Sequence, residues 1–348
     1  MKRQLNGTAW ALGLVVAFAC SSLPTWAQFK AAAETGQVIQ PRASIAHSSL
    51  FGIVFTHDGK TVWLGEGSET TLWDLETGEA KMTLAYHSSE RPDWHMLGIR
   101  SLAMSPDGKT MASGDQQGVV KIWDPETGQV KATTDLKGGE VTSLTWHPDG
   151  SVIAAAWERN FIKLLNPATG KVTGTIEPPK FKGFKVITYS PDGKLLATWD
   201  KGNQVYLFNA KTGVLVKTLE ILERIPGRSY QDAEFIAFSP DSKTLATGGG
   251  HTGYLLDVAT GRIRAPLPHE ARENQEDQVF GVAFSPDGKL VATACLDGTA
   301  KLWEAATGKL KATLKGEHGF TTVAFSPDGK TVLVGSQNST KVYDVPGK

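Results

Sequence analysis

A turn signature that recurs seven times, short alternating apolar runs around each copy, and a second anchor at fixed distance from it predict an all-β chain. The architecture they predict is a seven-bladed β-propeller of four-stranded antiparallel blades, the last blade closed by an N-terminal strand. The turn reads Thr56-His57-Asp58-Gly59, Ser105-Pro106-Asp107-Gly108, His147-Pro148-Asp149-Gly150 and Ser190-Pro191-Asp192-Gly193, then Ser239-Pro240-Asp241-Ser242, Ser285-Pro286-Asp287-Gly288 and Ser326-Pro327-Asp328-Gly329. Proline presets φ at the second position, Asp suits the third, and Gly takes the left-handed φ that closes a hairpin.

The strands follow from what surrounds each turn. Val282-Ala283-Phe284 precedes one copy and Leu290-Val291-Ala292 follows it, giving an inner and a second strand. A third strand ends at Trp73-Asp74, Trp123-Asp124, Leu165-Asn166, Phe208-Asn209, Leu256-Asp257, Trp303-Glu304 or Tyr343-Asp344. Thr-Gly comes four residues after the first six of these apolar positions, at Thr77, Thr127, Thr169, Thr212, Thr260 and Thr307, and opens the turn to an outer strand.

The period, the closing Trp-Asp and the Gly-rich hairpins resemble the WD-repeat family over residues 35–348. In that family a hydrogen-bond relay of Trp, Ser or Thr, His and Asp often braces a blade. Ser113 lies ten residues before Trp123 and Thr293 ten before Trp303, and His269 and Asp297 complete the set in the sixth repeat. Thr198 and Thr247 hold the hydroxyl position beneath Phe208 and Leu256, which have no indole N–H; Leu64, Ala155 and Val334 lack the hydroxyl. Most blades are therefore expected to rest on apolar packing. Trp73, Trp123 and Trp303 are read as structural, and so are Asp107, Asp149, Asp192, Asp241, Asp287 and Asp328.

Counting predicts how the ring closes. The last repeat ends at Tyr343-Asp344 without a fourth strand, while an orphan Thr35-Gly36 stands before the first repeat, 23 residues from Asp58. Short internal repeats give nearly the same interval, so Gln37-Val38-Ile39 is expected to be the displaced outer strand of the blade begun by residues 320–345. Such a clasp removes a ragged edge.

The first 27 residues form a separate unit. Lys2 and Arg3, the uncharged run Thr8 to Cys20, and Thr25-Trp26-Ala27 before Gln28 have the layout of a secretory signal peptide. The apolar run is short of the ~20 residues that span a bilayer. A lipoprotein starting at Cys20 is the lesser alternative. Export places residues 28–348, a single propeller, in a secreted or periplasmic compartment. Cleavage removes two basic residues from a balance of 36 basic and 36 acidic, leaving 34 against 36, or −2, with Cys295 as the one cysteine. No basic field is present to attract nucleic acid. The chain is expected to be monomeric and to span no membrane.

Sites for chemistry are scarce. The eight histidines show no two-His metal spacing with a carboxylate, and His57 and His147 are turn residues. No phosphate loop or Gly-x-Ser-x-Gly elbow occurs. The seven turn aspartates are expected to cap their own turns. No catalytic, metal or cofactor residue is assigned. The expected function is a non-enzymatic platform for a protein or peptide partner. Two alternatives are an enzyme with its site in the axial channel, as in lactonase- or quinoprotein-like propellers, and a glycan binder resting on Trp94, Trp157 and Trp199.

The uneven spacing locates the elaborated face. Extra residues fall at 85–98, 220–234 and 266–278, opposite the Asp-Gly turns and beside the second hairpins. Tyr86, Arg91, Trp94, His95, Trp157, Arg159, Trp199, Arg224, Arg228, Tyr230 and Arg272 are the candidate partner-binding residues. Aromatic and Arg side chains are the common anchors of interfaces, and loops on a rigid scaffold carry functional variation.

Overall fold

The computed structural model describes residues 36–47, 50–85, 98–157, 161–177, 184–200, 204–220, 235–248, 250–270, 278–316 and 319–348. The signal-peptide reading falls outside them. Among the described residues there are strands and turns but no helix, and hence none long and apolar enough to cross a membrane. The strands form seven sheets, each a blade whose repeat strands are antiparallel and in chain order from the axis outward, with an N-terminal strand added at the outer edge of each of the last two. The inner strands are Leu50–Phe55, Ile99–Met104, Val141–Trp146, Phe184–Tyr189, Ile236–Phe238, Val279–Phe284 and Phe320–Phe325.

A blade is apolar on both faces, so its burial must come from its neighbours. The core accordingly falls into seven clusters, each shared by two adjacent blades. Val186, Trp199 and Leu219 of blade four meet Ile236, Leu245 and Leu256 of blade five. Polar staples add to this near the axis. Ser101 Oγ accepts the amide of Leu144 at 2.9 Å, Ser143 Oγ that of Ile187 at 3.2 Å, and Trp146 Nε1 donates to the carbonyl of Ala103.

The recurring turns behave as their chemistry requires. Ser105 Oγ donates to Asp107 Oδ1 at 2.6 Å, Asp107 Oδ1 accepts the amide of Lys109, and Ser105 Oγ accepts that of Thr110. Asp192, Asp241, Asp287 and Asp328 receive the same hydroxyl bond, and His147 serves Asp149 in its place. The serine hydroxyl holds Asp107 below the usual carboxylate range, and Asp149 is drawn down to about 2, chiefly by Ser151. Ser242 takes φ +62° where six repeats place glycine.

The Thr-Gly turns lock successive blades together at the rim. A Cβ on Gly308 would lie 2.5 Å from Ala265 Cβ of the preceding outer strand, and one on Gly261 2.8 Å from Leu219. Glycine alone allows that approach.

Closure uses an N-terminal strand, but not the one counted. Strand β1 (Gln37–Ile39) runs parallel to Leu310–Lys315 and gives blade six a fifth strand; strand β2 (Ala43–Ala46) pairs antiparallel with Ser339–Asp344 and completes blade seven. In blade six the outer strand reaches its Thr299 partner at Lys315, eight residues after Thr307. The same count from Thr35 gives residue 43, whereas Ala46 is the residue opposite Ser339. The three-residue difference equals the length spent on blade six. Gly36 is not a turn glycine; it lies against Leu310, where a Cβ would come within 2.8 Å of Cγ.

Candidate partner-binding surfaces

On the face opposite the Asp turns, the strands that flank the three inserts meet the second hairpins: the amide of Ile99 donates to Gly67 O, that of Gly248 to Phe235 O and that of Leu296 to Gln278 O. Nine of the candidate residues, Tyr86, Arg91, Trp94, His95, Arg159, Arg224, Arg228, Tyr230 and Arg272, lie outside the described residues.

Trp157 and Trp199 require correction. The sequence places them among the partner-binding residues, but Trp157 is the last and Trp199 the penultimate residue of a second strand, with their rings in the core, 7% and 2% exposed. Trp199 packs between blades four and five, and Trp157 between blades two and three. An indole at a strand end is drawn into the inter-blade space because its area is the largest any residue can bury there. A glycan platform built on these two rings is ruled out.

The structure supplies residues at the channel mouth that sequence reading missed. Six inner strands carry a register irregularity after their first residue, between Leu50 and Gly52, Ile99 and Ser101, Val141 and Ser143, Phe184 and Val186, Val279 and Gly281, and Phe320 and Thr322. A bulge re-aims its extra side chain, so Phe51, Arg100, Thr142, Phe280 and Thr321 recur around the mouth, each half-buried. Arg100 Nε meets Glu140 Oε1 at 2.5 Å, and its guanidinium lies 4.9 Å above the Phe51 ring. This ties three consecutive blades at the rim of the channel. The signal was present in sequence as one residue too many between core positions. Below the mouth, the inner strands hold no carboxylate and no imidazole among the described residues; Arg100, Lys185 and Tyr189 are their ionisable residues.

The polar cluster of blade six is a brace. Trp303 Nε1 donates to Thr293 Oγ1 at 2.8 Å, and Thr293 donates to His269 Nε2 at 2.7 Å. His269 Nδ1–H faces Asp297 Oδ2 at 3.2 Å, and Thr299 donates to Asp297 Oδ1. Burial lowers the His269 pKa and keeps the ring neutral, which suits this tautomer. For Asp297, burial opposes ionisation, but the bonds from His269 and Thr299 outweigh it and leave its pKa lowered. His269, Cys295 and Asp297 bring ligand atoms within 4.8 Å of one another. Both ring nitrogens are already committed, and the buried Lys301 ammonium lies beside them, so the cluster serves the blade. In blade two Trp123 Nε1 donates to Ser113 Oγ, and in blade one Trp73 Nε1 turns to Glu66.

The WD domain, G-beta repeat model matches residues 92–124, 269–304 and 308–344, and the Anaphase-promoting complex subunit 4 WD40 domain model matches 130–182. The chain is similar to an uncharacterized WD repeat-containing protein of Synechocystis, 36% identical over 29% of this chain and 27% of that protein. It is also similar to the target of rapamycin complex subunit wat1 of Schizosaccharomyces pombe, 33% identical over 26% of this chain and 29% of the other. Periodic tryptophan protein 2 of Arabidopsis thaliana is 24% identical over 78% of this chain and 29% of its own length. The matched stretches thus span under a third of each relative.

Proposed function

We propose, from the premise that this chain is a WD-repeat propeller of seven blades, that it is an extracytoplasmic, non-enzymatic scaffold binding a protein or peptide on its hairpin face. Propellers of this kind are generally protein-interaction scaffolds. The observation that carries the reading is the bulge ring at the channel mouth, where half-buried Phe51, Phe280 and the Arg100–Glu140 pair stand on the face where the inserts open. Arginine and aromatic side chains on a rigid frame are the residues that anchor interfaces. The described inner strands carry apolar and hydroxyl side chains in place of carboxylate or imidazole, which supports binding over acid–base chemistry. Lys2, Arg3 and the apolar run to Cys20 support export.

The test is proximity crosslinking in the native compartment, followed by capture of the identified partner with purified variants. Arg100→Ala combined with Trp94→Ala and Arg228→Ala is expected to abolish capture while circular dichroism shows a folded ring, the lost Arg100–Glu140 tie costing about 1 kcal/mol. Replacing Lys109, Lys194 and Lys289 with Ala, on the opposite rim, is expected to leave capture intact. Loss with the second triple alone overturns the assignment of the face. For export, intact mass is expected to show a chain starting at Gln28; retention of residues 1–27, or an acylated Cys20, overturns it.

A further inference from the structure

The two faces of the ring handle charge differently. On the Asp–Gly turn face, acids have bases beside them: Asp74 with Lys81 at 2.5 Å, Asp124 with Lys131 at 3.1 Å, Asp192 with Lys194 at 3.1 Å and Asp344 with Arg42 at 2.9 Å. On the hairpin face, the matched pairs among the described residues belong to blades two and three. Arg100 meets Glu140 at 2.5 Å, and Lys137 meets Asp135 at 3.3 Å.

The arc from the end of blade five, through six and seven, to blade one is built otherwise. Glu270 is exposed just past the outer strand of blade five, and Glu69 is exposed at the second hairpin of blade one. Neither forms an ion pair among the described residues. Glu69 also lies directly opposite Glu66 across that hairpin. Like charges so placed cost stability, and the Trp73 indole, bonded to Glu66 at 3.2 Å, keeps one of the two in place. Lys315 is the one exposed lysine or arginine of this arc among the described residues. The sequence continues the trend. Residues 271–277 hold Glu273, Glu276 and Asp277 against Arg272, whereas residues 178–183, between blades three and four, hold Lys180 and Lys182.

The channel mouth shows how a cation is seated on this face. Arg100 lies 4.9 Å above the Phe51 ring while Glu140 holds its guanidinium. Phe280 takes the same bulge position in blade six, half-buried, and no cation of the described residues covers its ring. An aromatic face attracts a cation through its quadrupole, and this ring stands on the acidic arc.

Spacing and charge select the occupant. The acids of the arc nowhere bring three ligand atoms together among the described residues, as a metal ion requires, so they suit several separate cationic side chains. A second copy is a poor donor, because Lys81, Lys131 and Lys194 of its opposite face are already engaged. We propose, on the reading of the hairpin face as the binding surface, that the partner protein meets this arc through a basic segment. One Lys or Arg of that segment lies over Phe280, and others lie beside Glu69 and Glu270. Complementary charge then fixes which part of the face the segment covers.

A random twelve-residue peptide library displayed on phage, selected on the mature chain, tests this. Enriched peptides are expected to be rich in Lys and Arg, and to bind in fluorescence anisotropy with an affinity that falls as NaCl rises. Glu69→Lys with Glu270→Lys is expected to weaken binding at least tenfold. Both positions are exposed, so the fold is expected to hold, checked by circular dichroism and melting. Phe280→Leu, which keeps an apolar side chain but removes the ring, is expected to weaken binding several-fold. An unenriched library, enrichment of neutral or acidic peptides, or peptides that bind the charge-reversed chain as tightly overturns the proposal. Capture of the native partner separates the two readings. If the Arg100, Trp94 and Arg228 triple loses the partner and the charge-reversed chain keeps it, the face stands and the basic segment falls. Loss on the Lys109, Lys194 and Lys289 triple alone brings down the face and the segment together. A dimer that becomes monomeric on Glu69→Lys with Glu270→Lys also overturns the proposal, for the occupant is then a second copy. So does peptide binding that requires calcium and is lost in EDTA, for the acids then hold a metal.

Discussion

Blades six and four are built from the same four-strand plan and secured by different means. Blade six has an indole, a hydroxyl, an imidazole and a carboxylate in one buried chain of hydrogen bonds, an ion pair at its outer strand, and β1 laid along its edge. Leu310, the first residue of that strand, is 4% exposed; its counterparts Val130, Val172 and Ile263 are 44%, 44% and 42% exposed. Blade four has Phe208 where an indole would sit, Thr198 donating to the Val186 carbonyl, Asn209 for the acid, and no fifth strand among the described residues. What both share is the inter-blade apolar cluster. The polar devices are therefore dispensable to the plan and local in effect.

The largest test concerns the element that makes blade seven resemble the rest. Removing residues through Ala46 strips β2 and Ile45 from the cluster between blades seven and one. The expected loss is about 4 kcal/mol or more, on the order of 10 °C in melting temperature. Removing residues through Ile39 is expected to cost clearly less, since it uncovers only the edge of blade six. Ile45→Ala alone is expected to cost ~2–4 kcal/mol in chemical denaturation. Equal losses for the two truncations would return the closing role to residues 37–39.

The relay gives the next largest contrast. Thr293→Val orphans both Trp303 Nε1 and His269 Nε2, an expected cost of roughly 2–5 kcal/mol. Thr198→Val deletes a single bond in blade four, worth ~1 kcal/mol. Thr247 Oγ1 in blade five has no partner among the described residues, so Thr247→Val is expected to be neutral within ~0.5 kcal/mol, or stabilising. Urea denaturation of the three variants ranks them, and equal costs would show that the relay acts as isolated bonds.

A pH effect sharpens the view of the closure. His47 follows β2, bonded through Nε2 to Thr340 Oγ1 at 2.9 Å, and burial lowers its pKa to about 4. The unfolded chain takes up the proton near pH 6.5 and the folded one only near 4. Stability is therefore full above 6.5, declines as pH falls through this window, and levels off below it. After allowance for partial exposure the contribution is on the order of 1 kcal/mol. His47→Gln is expected to flatten the profile between pH 6.5 and 4 relative to the parent, in which His269 acts in the same direction. An unchanged slope would assign the whole effect to His269. The smallest change is expected from Arg42→Ala, within about 0.5 kcal/mol by denaturant titration, because the Asp344 pair is exposed. A larger loss would make that pair part of the closure.

Seven blades were legible because each turn declares itself in four residues, and the sixth-blade relay because its members keep fixed offsets from Trp303. The closing strand was not, because Thr35-Gly36 imitates a turn and only pairing reveals that residues 37–39 belong to another blade. Trp157 and Trp199 were misread because proximity to a hairpin in sequence says nothing of which way an indole turns. The ion pair of Asp124 with Lys131, seven residues on, shows only when repeats are compared in register. Arg42 could not be found that way, since its partner Asp344 lies at the other end of the chain.

Strand β2 also orders events in time. His47 and Thr340 meet across 293 residues, whereas the hairpins within blades join neighbours about a dozen apart. Between the two lie between four and five doublings of loop length, ~3 kcal/mol of added entropy to overcome before closure yields any return. During synthesis β2 emerges early and waits while every blade from the first to the seventh is made, so ring closure is the last step of folding. Until then Ile45 and the third strand of blade seven are open to other chains, and the unclosed ring is the form of this protein most exposed to misassembly.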